Sequence, residues 1–243
     1  MKKIKSNNLV YYSSNKYDYN FIEKIKKIFV DKNYANKSKY KDDPGRSTAK
    51  RTIHKVMIGG KSYFLKKFIY TNKRQCLRLN LGLMEDKAMR YYKNSKKLNS
   101  LGIDNVQGEA VFVYSTGLFN YECILVTKDY CEGTNGITYK EYLKGGIVKS
   151  IYRKKIIKDL FYMLDNNFFY NDFHFENILL VNEKIYYLDL DAGYQKTKKL
   201  KKNREKTIQL YKENLKRECI DGVISKNEYD LFIKEIKIIE NKS

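Results

Sequence analysis

The chain has no tryptophan, one proline (Pro44), two histidines (His54 and His174) and four cysteines among its 243 residues. Each scarcity excludes something. Cys76, Cys123, Cys131 and Cys219 are scattered with no CxxC pair, so neither a zinc site nor a disulfide framework is indicated. Reduced thiols in a cytoplasmic protein are the expectation. No apolar run approaches ~18 residues, the length of a membrane-spanning helix. The opening "MKKIKSNNLVYYSSNKYDYN" is basic but has no apolar h-region, so no signal peptide is expected. Acids are also in deficit: 28 Asp and Glu stand against 49 Lys and Arg, a net charge of +21. That excess draws the protein to something anionic (nucleic acid, a lipid surface or a polyanionic substrate) without choosing among them. What remains is a globular composition, 42% hydrophobic and 14% aromatic, enough for one large domain or two small lobes.

Phe21, Ile22, Ile25, Ile28 and Phe29 suit a helix within 17–33. The proline stands in "KSKYKDDPGRSTAK" and marks a turn with Gly45. "RTIHKVMIGGKSYFLKKFIY" reads as two strands joined at Gly59-Gly60. Met84, Ala88, Tyr91, Ser95 and Leu98 lie on one face of a helix over 83–98, which Gly102 stops. "AVFVYSTGLFNYECILVT" gives a second pair of strands, and the polar "DYCEGTNG" is the candidate boundary between lobes. Ile157, Leu160, Phe161, Leu164 and Phe168 predict a helix over 150–168, and 203–240 reads as two helices parted near Gly222. The expected class is α+β: residues 1–40 as an N-terminal extension, a strand-rich N-lobe at 41–130 and a mostly helical, short C-lobe at 131–243.

Chemistry concentrates in "YNDFHFENILLVNEKIYYLDLD", where Asp172, His174, Asn177, Asp189 and Asp191 interrupt an apolar and aromatic run. Buried carboxylates are costly unless paired or bound to a cation. "NILLV" and "KIYYLDL" flank Asn182-Glu183 as a tight hairpin. A hairpin brings its ends together, so Asn177 and Asp189 are expected to be neighbours, facing the loop carboxylate of Asp172. Hard oxygen donors in that number suit Mg²⁺, which takes one or two protein groups and completes its shell with phosphate oxygens. An acid that orients a hydroxyl, beside an Asn and an Asp that hold metal against ATP, is the arrangement of a kinase. Such a site also needs a cation on an N-lobe strand. Lys66 in "YFLKKF" supplies it, with Lys67 as the rival, because strand side chains alternate and only one of the two faces the site.

The loop "NDFHFEN" resembles the D-x-H-x-x-N form found in small-molecule kinases of the protein-kinase-like superfamily, and "YYLDLDAG" resembles their metal-binding I-D-x-[DE] segment. With "GKSYFLKKF", the helix ending "YYKNSKKLNSLGI" and the hinge "LVTKDYCEG", residues 45–195 resemble the lipopolysaccharide core heptose(II) kinase family. That resemblance implies a two-lobed protein-kinase-like fold using ATP and Mg²⁺. Asp172 would orient and deprotonate the acceptor hydroxyl. Asn177 and Asp189 would hold the metal, with Asp191 a second ligand or supporting acid. Lys66 would bind phosphates and Glu85 would hold that lysine. The hinge around Thr127, Lys128 and Tyr130 would contact adenine. "DDPGRST" at 42–48, with Arg46 and Ser47, stands where a glycine-rich loop belongs, and Asn171 stands where the family has a small residue. His174 is read as structural, hydrogen-bonded to loop backbone. The implied acceptor is a heptose of the inner core, a lipid-linked anionic sugar, at the cytoplasmic face of the inner membrane. A basic protein would approach that surface peripherally.

Rival readings differ in class. Another small-molecule kinase (aminoglycoside or choline type) shares the motifs, though a cationic aminoglycoside prefers an acidic site. A protein Ser/Thr kinase needs an A-P-E segment after the metal-binding acid, and none follows Asp189. A scaffold or a nucleic-acid binder would explain the charge but not the motifs, and nucleic acid is not the expected partner. "DGVISKNEYDLF" imitates half an EF-hand, yet Arg217 and Cys219 stand where its first carboxylates belong. The basic run "KTKKLKKNREK", 196–206, fits a charged rim for an anionic acceptor as well as a nucleic-acid tail.

Overall fold

The computed structural model describes residues 2–6, 9–13, 19–30, 49–145, 150–190, 193–195 and 199–241. Two compact units divide the chain: Met1–Lys96 with Gln107–Glu132, and Lys97–Val106 with Gly133–Ser243. The first runs β1 (Lys2–Ser6), β2 (Leu9–Ser13), α1 (Tyr19–Val30), β3 (Ala49–Ile58), β4 (Lys61–Tyr70), α2 (Lys73–Asn80), α3 (Lys87–Ser100, its last residues counted with the second unit), β5 (Gly108–Tyr114) and β6 (Tyr121–Lys128). Its strands form one antiparallel six-stranded sheet in the order β1-β2-β5-β6-β4-β3.

Local chemistry explains the hairpin β3–β4. Gly59 and Gly60 both take positive φ, +59° and +73°, which a two-residue turn of this hand requires and glycine adopts without steric cost. Alternation along β4 then sends Tyr63 and Leu65 to one face, where Ala110, Phe112, Ile124 and Val126 meet Phe21 and Ile25 of α1. Leu9 and Tyr11 of β2 belong to the same core. Strands β1 and β2 and helix α1, which fall within the segment expected to be an N-terminal extension, contribute to this sheet and its cover. On β3, His54 is buried, with Thr52 Oγ1 3.1 Å from its Nε2.

Helix α3 starts four residues later than its periodicity suggests. Asp86 is the reason: its buried carboxylate accepts from the Met89 N–H (2.7 Å) and from the Tyr121 hydroxyl (2.8 Å), which fixes the helix start as a capping acid does. The eight-residue α2 was not foreseen. It is capped by Asn72, whose side chain accepts from Gln75 N–H at 3.2 Å.

The second unit runs β7 (Ile137–Thr138), α4 (Tyr139–Lys144), α5 (Ser150–Asp165), β8 (Phe168–Tyr170), β9 (Ile178–Val181), β10 (Lys184–Tyr187), β11 (Gly193–Gln195), α6 (Leu200–Ile220) and α7 (Lys226–Glu240). The expected hairpin is present. Val181 pairs with Lys184 and Ile178 with Tyr187, around Asn182 and Glu183, both at positive φ. Strand β7 adds to its β9 edge, and β8 pairs with β11 as a separate two-stranded ribbon. Helices α6 and α7 part at Gly222, where φ is +70°. Arg153 of α5, its side chain 7% exposed, ties this unit together by bonding Glu228 (2.7 Å) and Glu235 (3.0 Å) of α7.

Candidate active site

The loop 171–177 is anchored by its aromatics. From Asp172 to Phe175 the side chains alternate: Phe173 and Phe175 are buried, while Asp172 and His174 are partly exposed. Phe173 packs edge-on against Phe175 and Tyr211 of α6. Phe175 in turn meets Tyr139 of α4 and Phe232 of α7 at centroid distances of 5.2 and 5.6 Å. Two buried rings two residues apart therefore fix the direction of the polar side chains between them.

Within that frame, Asn177 Nδ2 donates to the Asp172 carbonyl (2.9 Å) and carboxylate (3.2 Å). The amide is thus turned so that its oxygen remains an acceptor. Asn171, ahead of the acid, accepts from the Thr207 hydroxyl of α6 at 3.2 Å. At the other end of the stretch, Leu188 is gripped twice: its N–H donates to the Asn177 carbonyl (2.8 Å) and its carbonyl accepts from the Tyr170 hydroxyl (2.7 Å). Asp189 follows directly on the residue paired with Asn177. Its φ of +49° is left-handed, a conformation that costs energy outside glycine and that Asp tolerates better than most. Gly193 closes the segment, because a Cβ there would lie 2.7 Å from the buried Phe168 ring.

His174 is not bonded to loop backbone as expected. Its Nε2 lies 3.4 Å from Asp172 Oδ1 and its Nδ1 3.8 Å from Glu218 Oε1. The Asp172 carboxylate first, and Glu218 second, push the imidazole up to about 9 against the effect of burial. Glu218 is the residue the sequence reading missed. Burial opposes its ionisation, but His174 and the Phe175 N–H (3.2 Å) outweigh that and hold it below the usual carboxylate range. One signal could have found it: Thr207, Ile208, Tyr211, Leu215 and Glu218 share the buried face of α6, and an acid on such a face needs a partner.

The residues assigned to nucleotide binding belong to the first unit. Lys66 shares a strand face with Phe68, its Nζ 5.7 Å from that ring. Lys67 points to the opposite face and pairs with Glu122 at 2.8 Å. Glu85 lies outside α3, beside the buried Asp86, and its carboxylate pairs with Lys93. Thr127 is buried at the end of β6, and Lys128 approaches Glu109 at 3.7 Å. The Tyr130 hydroxyl accepts from the Gln107 N–H at 3.3 Å. Between them Asp129 is buried, accepting from the Ser62 hydroxyl (3.0 Å) and the Cys131 N–H (2.9 Å) and pairing with Lys55 (2.7 Å). Burial works against its charge, but these partners hold its carboxyl below the usual range. Both carboxylate oxygens of Glu132 accept from the Ser62 N–H at 3.0 Å. The segment that follows β6 is thus fastened to the start of β4. Arg46, Ser47 and Asp191 lie outside the described residues.

No family model matches the chain, and no curated protein matches it in sequence. Solved structures match it in fold. "WaaP in complex with acyl carrier protein" superposes with a TM-score of 0.53 over 81% of this chain and 76% of that one, at 14% identity. The chain has a WaaP-like fold. At that identity the WaaP likeness carries architecture alone, and the role of each residue rests on the chain's own geometry.

The donor chemistry fits Mg²⁺. Asn177 offers an amide oxygen and Asp189 a carboxylate, both hard ligands, at the same end of one hairpin. Among the described residues no cluster of three or more His, Cys, Asp or Glu is built to hold a metal. No helix among them is long and apolar enough to cross a membrane.

Proposed function

We propose that the chain is an ATP-dependent phosphotransferase acting on a sugar hydroxyl, with a heptose of the lipopolysaccharide inner core as acceptor. The observation that carries this is the Asp172–Asn177 pairing within an aromatic-anchored D-x-H-x-x-N loop, in a chain of WaaP-like fold. The sequence motifs, which resemble those of heptose(II) kinases, point to the same class of acceptor.

In this reading Asp172, partly exposed on a rigid loop, accepts the hydroxyl proton and aims the oxygen for in-line attack. Asn177 holds that carboxylate in place and, with Asp189, would bind Mg²⁺, which neutralises phosphate charge when present. Lys66 meets the nucleotide phosphates, and the backbone of Thr127–Tyr130 takes the adenine. The charge of +21 favours an anionic, lipid-linked acceptor approached from the cytoplasmic side of the inner membrane. Because the WaaP structure contains acyl carrier protein, carrier-protein contact is a second partner to test.

The test is transfer of label from γ-labelled ATP with Mg²⁺ to separate acceptors: dephosphorylated core saccharides bearing one or both heptoses, an aminoglycoside and a generic protein. Label in the heptose of a core saccharide is expected. Asp172→Ala should abolish turnover with ATP binding intact, and Asp189→Ala should weaken metal–nucleotide binding itself. Label in the aminoglycoside or protein alone, or equal activity in both variants, overturns the proposal.

A further inference from the structure

One end of the first unit carries an apolar surface that phosphotransfer leaves unused. Asn80 closes α2, and its Nδ2 donates to the carbonyls of Gly117 (3.0 Å), Leu118 (3.0 Å) and Asn120 (3.3 Å), while the Ser115 hydroxyl donates to its Oδ1 (2.7 Å). This side chain fastens the β5–β6 turn to the end of α2. Two turns thereby stand together, each bent by a glycine at positive φ, Gly82 (+69°) and Gly117 (+125°). They present Leu81 (56% exposed), Leu83 (67%), Leu118 (54%) and Phe119 (53%) to solvent. Behind them a pocket of about 520 Å³ has a mixed lining, with Leu79, Met84, Met89 and Val113 beside Glu85 and Asp86. Single exposed apolar residues are ordinary, but four gathered around one clamp mark an interaction site.

The exposed charges on α2 beside this patch are positive, and the acids at the pocket, Glu85 and Asp86, are already engaged. Lys73, Arg74 and Arg78 are exposed on α2, and no acid occurs in 73–84 or 115–121. The nearest acids in sequence are engaged: Glu85 by Lys93, Asp86 by the Met89 N–H and the Tyr121 hydroxyl, and Glu122 by Lys67. Apolar side chains at the tips of turns, flanked by long cations, are what an interfacial anchor needs: the tips enter the acyl boundary and the cations stay at headgroup level.

We propose that this end of the first unit is a docking surface for an anionic lipid bilayer. Leu81, Leu83, Leu118 and Phe119 insert at the boundary, while Lys73, Arg74 and Arg78 rest on lipid phosphates. The inference does not rest on the phosphotransferase reading, and its test uses no ATP.

Because the chain has no tryptophan, Phe119→Trp gives the full-length protein a single reporter. With vesicles of phosphatidylcholine plus phosphatidylglycerol, its emission should move to the blue and be quenched by brominated acyl chains; vesicles of phosphatidylcholine alone should leave it unchanged. Tyr162→Trp, an exposed position on α5, should give no shift on either. In co-sedimentation, the triple variant Lys73→Gln, Arg74→Gln, Arg78→Gln should lose roughly a hundredfold in vesicle partitioning, about fivefold for each base. Leu83→Ser with Phe119→Ser should lose at least about tenfold. Melting curves verify that each variant folds, and the tryptophan reporter decides the matter if one does not. An unshifted Phe119→Trp on anionic vesicles, or variants that sediment like the parent, overturns the proposal. So does a blue shift with an acidic soluble carrier protein and none with vesicles, which assigns the patch to a protein partner.

Discussion

Two histidines in one chain make the electrostatics of the loop directly measurable. His54 is lowered by burial and then by Lys67, while His174 is raised to about 9 by Asp172 and then Glu218. The imidazole Cε1–H signals of Mg-free protein should therefore titrate as two separated curves, His54 below and His174 well above the ordinary histidine value of about 6.5. Glu218→Gln is the informative perturbation. The amide oxygen can still accept from the Phe175 N–H, so the buried donor keeps its partner, and only the charge is removed. His174 should then fall by about one unit, since a single carboxylate near 4 Å is worth that much or more. Two curves that coincide near the ordinary value, or a His174 curve indifferent to Glu218→Gln, would refute the reasoning.

The same shifts set a stability profile. His174 has its folded value above its unfolded one, so its stabilisation is complete below about 6.5 and is lost as pH rises through about 9. At full weight the shift is worth about 3 kcal/mol. The Asp172 side chain is 44% exposed, and screening reduces the expected loss to about 1.5 kcal/mol. Glu218 runs the other way: its folded value is depressed, so its contribution is present above about 4.5 and disappears as pH falls below that. Urea midpoints should therefore decline from about pH 6 to about pH 10 in the parent and decline less in Glu218→Gln.

Other substitutions separate structural from functional roles. Lys66→Met should lower phosphotransfer, whereas Lys67→Met should leave nucleotide affinity unchanged and cost about 1 kcal/mol by unpairing Glu122, read by nucleotide titration and urea denaturation. Gly193→Ala forces a methyl against the Phe168 ring at 2.7 Å and against the Leu190 carbonyl at 3.2 Å, so a loss of about 1–3 kcal/mol in urea is expected. Arg153→Met strands two acids at once, Glu228 and Glu235, and should destabilise the second unit by about 3–5 kcal/mol; a neutral result would mean that both carboxylates find solvent.

What could be read from sequence was what local geometry decides. Gly59-Gly60 and Asn182-Glu183 are two-residue turns whose backbone must go left-handed, and both hairpins follow from them. The alternation Asp172, Phe173, His174, Phe175 likewise carries its own instruction, because buried rings at every second position leave the polar side chains facing away from the core. What sequence could not supply was pairing at a distance. Nothing in 9–13 says that it will lie against β5, so a strand inside the sheet reads as part of an extension. The start of α3 fails for a related reason: periodicity marks a face, not an end, and the end is set by Asp86 meeting Tyr121, 35 residues on. Glu218 lies between these cases. Its partner is 43 residues away from it in Phe175 and cannot be named in advance, yet its place on the apolar face of α6 already says that a partner exists. A buried acid on a helix stripe is thus a pointer with a known origin and an unknown target. Here the target is the loop that carries Asp172: α6 packs Tyr211 against Phe173 and, further along the same stripe, sets Glu218 against the Phe175 N–H and His174.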